Sequence, residues 1–245
     1  RYTIFGKNPD KIWEFNNKNS YLIKNKKKIK LKDRPEELIE KLIEEFKFET
    51  PKKLPKICSL ISGYFSYDSI RYIEKIPNKC KNDLNLPDVR LLRPRTLVIH
   101  DNFKKEIFYI INIFNDEKII NYQKKFEDIK SELFKLTVQS TLKNLNKSKN
   151  NVVKNIQVKS NTPKNKFLNM VNKAKKYIKL GDIFQVVLSQ RFEAKLTKNP
   201  LEIYKKLRVT NPSPFMFFFN FNDFQIVGAS PEILVRLRDN KITVR

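Results

Sequence analysis

Glycine is scarce in this chain, with four in 245 residues. In so glycine-poor a sequence each glycine is expected where the backbone demands one. That draws attention to Gly181 and Gly228, each opening a segment in which polar residues interrupt apolar ones. Cysteine is scarce too. Cys58 and Cys80 lack metal-ligand spacing and His100 is the sole histidine, which excludes a Cys/His zinc site and leaves two free thiols of a reducing compartment. No apolar run approaches the roughly 18 residues that cross a bilayer. The greasy patch Phe215–Phe219 stops at Asn220 and reads as a buried strand. No membrane partner is expected, and the location expected is cytoplasmic. A charged-then-apolar leader is also lacking. The chain opens on Arg1 and closes within the alternating run Lys241–Arg245, so it reads as a segment of a longer protein.

Acidic residues are the other shortage: 26 against 51 Lys plus Arg, for a net charge of +25. Such a balance invites a basic nucleic-acid-binding module. The cations, however, are 40 Lys and only 11 Arg, spread along the chain rather than gathered in one stripe. Lys, Asn and Ile are what AT-rich codons encode, so base composition accounts for much of the charge. No specific nucleic-acid partner is expected. Steering of an anionic substrate remains a consequence of the field.

What is present is a folded composition, 40% hydrophobic and 12% aromatic. Strands are expected at Tyr2–Phe5, Lys11–Phe15 and Tyr21–Ile23, separated by Asn- and Lys-rich turns. A helix follows, with Pro35 in its first turn, Glu36 and Glu37 at its positive end, and Leu38, Ile39, Leu42, Ile43 and Phe46 as its stripe. Further strands are expected at Ser62–Phe65, Thr96–His100 and Glu106–Ile113, the last two pairing across Asp101-Asn102, and a helix at about 117–136. Between Thr141 and Lys166 stand seven lysines, seven asparagines and no acidic residue. Residues 139–162 are therefore read as a linker between an N-terminal region, 1–138, and a second domain beginning at 163. There a helix is expected with Thr162 as cap, Pro163 in its first turn and Gly181 at its end. Asn199-Pro200 opens a shorter helix, and strands run from Phe215 onward with turns at Asn222-Asp223 and Asp239-Asn240. Strands and helices without βαβ alternation predict an α+β fold of largely antiparallel sheets.

The segment after Gly181 alternates as a strand would. Ile183, Gln185, Val187, Ser189 and Arg191 share one face; Phe184, Val186, Leu188, Gln190 and Phe192 share the other. Gln185 thus stands between aliphatic neighbours, and an unmet buried amide costs about 1–3 kcal/mol. Either it ties two strands together or it serves a site. Glu232 follows Ser230-Pro231, and Pro231 marks a strand start, edge or bulge. A carboxyl group at such a break, beside Ile233 and Leu234, could keep its proton by desolvation and act as an acid. It could equally be an ordinary strand-end glutamate.

These segments resemble those of the chorismate-utilising enzymes, anthranilate synthase component I in particular. The run Gly181-Asp182-Ile183-Phe184-Gln185-Val186-Val187-Leu188-Ser189-Gln190-Arg191-Phe192 is similar to a GDIFQVVLSQRF-type segment of that family. Asn211–Phe218 resembles its NPSPYMFF segment and Gly228–Glu232 its GASPE segment. Arg1–Gly6 is similar to GRYSFIG, and Gly63–Asp68 to GYLGYD. The resemblance runs from the first residues to the last, and it implies a sandwich of antiparallel sheets with helices packed outside, truncated in this chain.

The resemblance also implies a reaction. Ammonia adds to C2 of chorismate with loss of the C4 hydroxyl, and elimination of pyruvate then leaves anthranilate. Relatives that use water carry Lys at the position matching Gln185, where it acts as a base. Glu232 matches the acid that protonates the departing hydroxyl. Pro214, Phe215 and Met216 match a triplet lining a tryptophan feedback pocket, with Phe215 in place of the family's Tyr. Ammonia would come from a glutamine amidotransferase subunit, and magnesium would be the cofactor, its ligands lying downstream of Arg245. Aminodeoxychorismate synthase component I is the alternative within the family. Val187 and the Phe215-Met216 pair favour the anthranilate branch.

Overall fold

A computed structural model describes residues 1–16, 19–114, 123–124, 126–131, 134–135, 156–238 and 240–244. The fold is α+β with antiparallel sheets, and the chain divides into two compact units, Arg1–Lys147 and Ser148–Arg245. The division falls inside the segment read as a linker. Most of that segment, 139–155, lies outside the described residues, as does much of the expected helix at 117–136, of which residues 126–131 are helical.

The first unit is built on one sheet of six strands in the order β3-β2-β1-β5-β4, with β6 also pairing β5. Its spine is β1 (Tyr2–Asn16) against β5 (Val89–Asp101), flanked by β2 (Asn19–Lys24), β3 (Lys27–Lys30), β4 (Ser62–Phe65) and β6 (Glu106–Ile111). Two strands expected at the start are one. Gly6, Asn8 and Pro9 carry turn character, but the sheet absorbs them: Asn8 takes φ 54°, and a bulge between Pro9 and Lys11 shifts the register. A bulge re-aims side chains, and here Asp10 meets the Arg93 guanidinium, whose Nε donates to Oδ1 at 2.9 Å.

Alternation gives the sheet its faces. Trp13 and Phe15 of β1 and Val89 and Leu91 of β5 are buried together under α1 (Pro35–Glu45), which contributes Leu38 and Leu42. Fully burying one such side chain is worth about 1.5–3 kcal/mol. Helix α1 forms where its signals stand: Pro35 occupies the first turn, and the Glu37 carboxylate accepts from the Arg34 backbone N–H at 3.0 Å. Ile43, expected in the stripe, is instead exposed. A second cluster joins Leu97, Ile99, Ile110 and Cys58.

The second unit has helices α2 (Lys164–Leu180) and α3 (Pro200–Thr210) and three antiparallel pairs: β7 (Val158–Ser160) with β8 (Phe192–Ala194), β9 (Phe215–Asn220) with β10 (Gln225–Ser230), and β11 (Val235–Arg238) with β12 (Lys241–Val244). Thr162 does not cap α2. Pro163 is the N-cap, because its carbonyl accepts the first helical bond, from Phe167, while the Thr162 hydroxyl turns to Asn161. Asn199 does cap α3, accepting from the Leu201 N–H at 2.9 Å.

Candidate active site

Helix α2 delivers the chain to the first candidate segment through a specific stop. Gly181 is left-handed at φ 79°, its N–H donates to the Ile178 carbonyl, and that of Asp182 donates to Tyr177. This crossed pair of bonds ends a helix at a residue without a Cβ.

Beyond it the expected strand is not formed. Residues 183–191 are irregular, and pairing begins only at Phe192 in β8. The alternation of side chains is present, but a strand exists only through a partner's ladder. Among the described residues, none hydrogen-bonds to the backbone of 183–190. Phe184 is 98% exposed and Val187 82%. Gln185 is exposed as well and has no hydrogen-bond partner among the described residues, so it is not the inter-strand tie. That part falls to Gln190, whose Oε1 accepts from the Ser160 hydroxyl at 3.0 Å, next to reciprocal bonds between Asn161 and Arg191.

Of the other candidates, Phe215 and Met216 lie in one hairpin, which Pro214 precedes and Glu232 follows. β9 and β10 pair through Phe215↔Ser230, Met216↔Ala229, Phe217↔Gly228, Phe218↔Val227, Phe219↔Ile226 and Asn220↔Gln225. Its loop is closed by the Phe221 N–H on the Phe224 carbonyl, with Asn222 at φ 72°. On one face Phe218 meets Tyr204 of α3, ring centroids 6.0 Å apart. A row of rings runs along the chain from Phe217 through Phe219 and Phe221 to Phe224, at 5.7, 5.8 and 5.1 Å.

Gly228 receives the end of that row. A Cβ built there would stand 2.1 Å from Cζ of Phe217 and 2.5 Å from Cε2. A side chain at this position would displace the ring across the ladder. Two residues on, the Ser230 hydroxyl donates to the Glu232 carbonyl at 3.1 Å, bracing the turn at Pro231. Glu232 follows as an exposed side chain in the irregular stretch before β11. The desolvation anticipated for it is not supplied by the described residues. Pro214 precedes β9 directly, so the Pro214-Phe215-Met216 triplet begins the strand opposite the end of β10, from which Glu232 departs.

The geometry thus joins Pro214, Phe215, Met216 and the Glu232 segment, and forms no hydrogen bond between them and Gln185 among the described residues. Phe217 and Ser230 were not singled out from the sequence. The available signal was Gly228, one of four glycines, lying within a strand. A cavity of about 500 Å³ lined by Asn19, Ser20, Lys30, Leu31, Lys32 and Asp33 belongs to the first unit and touches none of the predicted site residues. Among the described residues no cluster of three His, Cys, Asp or Glu side chains could hold a metal ion.

The family model for chorismate binding enzymes matches residues 3–245. The chain belongs to that family. It is 37% identical over its whole length to anthranilate synthase component 1 of Cereibacter sphaeroides, covering 50% of that protein. It is 36% identical over 98% of its length to the Acetivibrio thermocellus protein of the same name, covering 49%. Among solved structures, anthranilate synthase component I from Streptococcus pneumoniae superposes with a TM-score of 0.77 at 29% identity, over 99% of this chain and 53% of that one. The chain spans about half the length of the curated relatives it matches. Within the family's frame, the antiparallel α+β architecture read from the sequence is the one found. No helix among the described residues is long and apolar enough to cross a membrane.

Proposed function

We propose that this chain is part of the large subunit of an anthranilate synthase, which converts chorismate and ammonia to anthranilate, pyruvate and water. The observation that carries the reading is identity of 36–37% to two anthranilate synthase component 1 proteins, sustained over 98–100% of the chain. Coverage of about half of each relative, together with the exposed side chains of Phe184, Val186 and Val187, supports a working unit longer than these residues.

In this reading Glu232 gives its proton to the C4 oxygen as that group departs as water, because hydroxide is a poor leaving group. A placed acid contributes on the order of 10²–10⁴-fold. Gln185 stands on the nucleophile's side. A neutral amide takes no proton from water, so the nucleophile must be strong enough to attack without a base, as neutral ammonia is. Ammonia adds at C2, and loss of the C2 proton with pyruvate completes the aromatic ring. A glutamine amidotransferase supplies the ammonia, tryptophan is the feedback effector at Pro214, Phe215 and Met216, and the enzyme works in the cytoplasm. Magnesium is the proposed cofactor. The described residues hold no cluster that fits a magnesium site.

The test uses the full-length protein with chorismate, magnesium and ammonium, following anthranilate fluorescence. Turnover is expected, falling about 10²–10⁴-fold in Glu232→Gln with the circular dichroism unchanged. Formation of an aminodeoxychorismate product in place of anthranilate would overturn the assignment, and so would wild-type turnover by Glu232→Gln. Residues 1–245 alone are expected to be inactive.

A further inference from the structure

We propose that Phe217 is a positioning residue for Glu232, acting through the seat its ring takes on Gly228. The inference rests on the acid role given to Glu232 above and adds the part of the fold that would set where that acid stands.

A two-stranded hairpin can slip in register, and a slip of one residue turns every side chain to the other face. Strand β10 offers Gln225, Ile226, Val227, Gly228, Ala229 and Ser230 to its neighbour. Five of the six carry a Cβ. Phe217 lies so close over Gly228 that a Cβ there would be 2.1, 2.5 and 2.8 Å from three of its ring carbons. Slipping by one residue would set the ring against Val227 or Ala229, and by two against Ile226 or Ser230. Only the observed register gives the ring a position without a side chain beneath it. Along the same strand face the ring is flanked by Phe219 at 5.7 Å, on which Phe221 stacks at 5.8 Å.

The seat lies four residues before Glu232, with Ala229 and Ser230 still in the strand and Pro231 in the turn that follows. That turn is braced by the Ser230 hydroxyl on the Glu232 carbonyl. Register at Gly228 therefore sets the end of the strand at Ser230, from which the braced turn leads to Glu232. A one-residue slip would move that point by about 3.3 Å, whereas misplacement of about 1 Å can cost on the order of 100-fold in rate.

The experiment is a double-mutant cycle in the full-length enzyme. Gly228→Ala, which lifts the ring from its seat, and Phe217→Ala, which removes the ring, are each expected to lower kcat for anthranilate formation about 100-fold with the chorismate KM within about twofold, and the double variant is expected to lose no more than either alone, because both act on one seat. In a Glu232→Gln background, Gly228→Ala should change kcat less than about twofold, because a change that acts through Glu232 has nothing left to act on. Equal losses in both backgrounds would mean general damage and overturn the proposal, as would an active Gly228→Ala enzyme. Register is read separately, by the yield of a disulfide between cysteines placed at Phe218 and Val227, which should fall when Gly228→Ala is added. An unchanged yield overturns the register argument itself. Wild-type turnover by Glu232→Gln removes the acid and the positioning role together, whatever the disulfide reports, so the two failures are distinguishable.

Discussion

Glu14 and Arg90 face each other across the β1–β5 ladder, ion-paired and both buried. They lie on the side of the sheet opposite Trp13, Phe15, Val89 and Leu91, and Lys28 of β3 reaches the same carboxylate. Removing one partner of a buried pair strands the other charge and costs about 3–5 kcal/mol, while replacing both by apolar residues of similar volume is close to neutral. Glu14→Gln should therefore lower unfolding free energy by several kcal/mol, and Glu14→Leu with Arg90→Met should recover most of that loss. Fluorescence of Trp13, the sole tryptophan, reports this unit in urea titrations. Equal stability of Glu14→Gln and wild type would rule the argument out.

Gly63 tests how closely β4 lies on β5. A Cβ there would stand 1.9 Å from the Arg90 carbonyl oxygen and 2.9 Å from Leu91 Cα, both backbone atoms that cannot rotate aside. The strand is also anchored by the Tyr64 hydroxyl on the Pro87 carbonyl at 2.7 Å. Gly63→Ala should cost about 1–3 kcal/mol or more by overpacking. Gly6→Ala should cost clearly less, since its nearest neighbour is the Pro94 side chain at 3.1 Å. The two urea midpoints decide it; a Gly6 variant as damaged as the Gly63 variant would contradict the ranking.

Asp101 gives the first unit an acid limit. The Arg1 guanidinium donates to it at 2.7 Å, and the backbone N–H groups of Phe103 and Lys104 add bonds of 3.0 and 3.2 Å. Chiefly through Arg1, these hold its pKa at about 2 against an ordinary 3.8. A carboxylate depressed on folding stabilises the native state above its ordinary pKa and loses that contribution as pH falls toward the folded value. Unit stability should decline between about pH 4 and pH 2, and Asp101→Asn should flatten that portion of the curve. An identical pH profile for the variant would exclude Asp101 as the cause.

Much of this fold was legible because its signals are local. Pro35 with Glu36 and Glu37, Gly181, and Asn199 with Pro200 each carry their own chemistry for starting or stopping a helix, and the observed helices obey them. Non-local competition decided the rest. Turn-forming Gly6, Asn8 and Pro9 were overridden because β5 runs alongside and accepts the bulge. The alternation at 183–191 was real, yet alternation describes faces and says nothing about who supplies the ladder. Of the site, the hairpin was readable as strands with a turn at Asn222-Asp223. The ring over Gly228 was not, since which residue faces a glycine depends on register, and register is a property of two strands together.

The unladdered stretch from Ile183 to Gln190 bears on how long such a chain would survive. A protease binds its substrate as an extended strand and needs the peptide groups free of other pairing. Here those groups are free among the described residues, and Phe184 and Val187 stand in solvent between two well-capped helices. Limited proteolysis of residues 1–245 is therefore expected to cut first between Ile183 and Gln190, dividing α2 from α3.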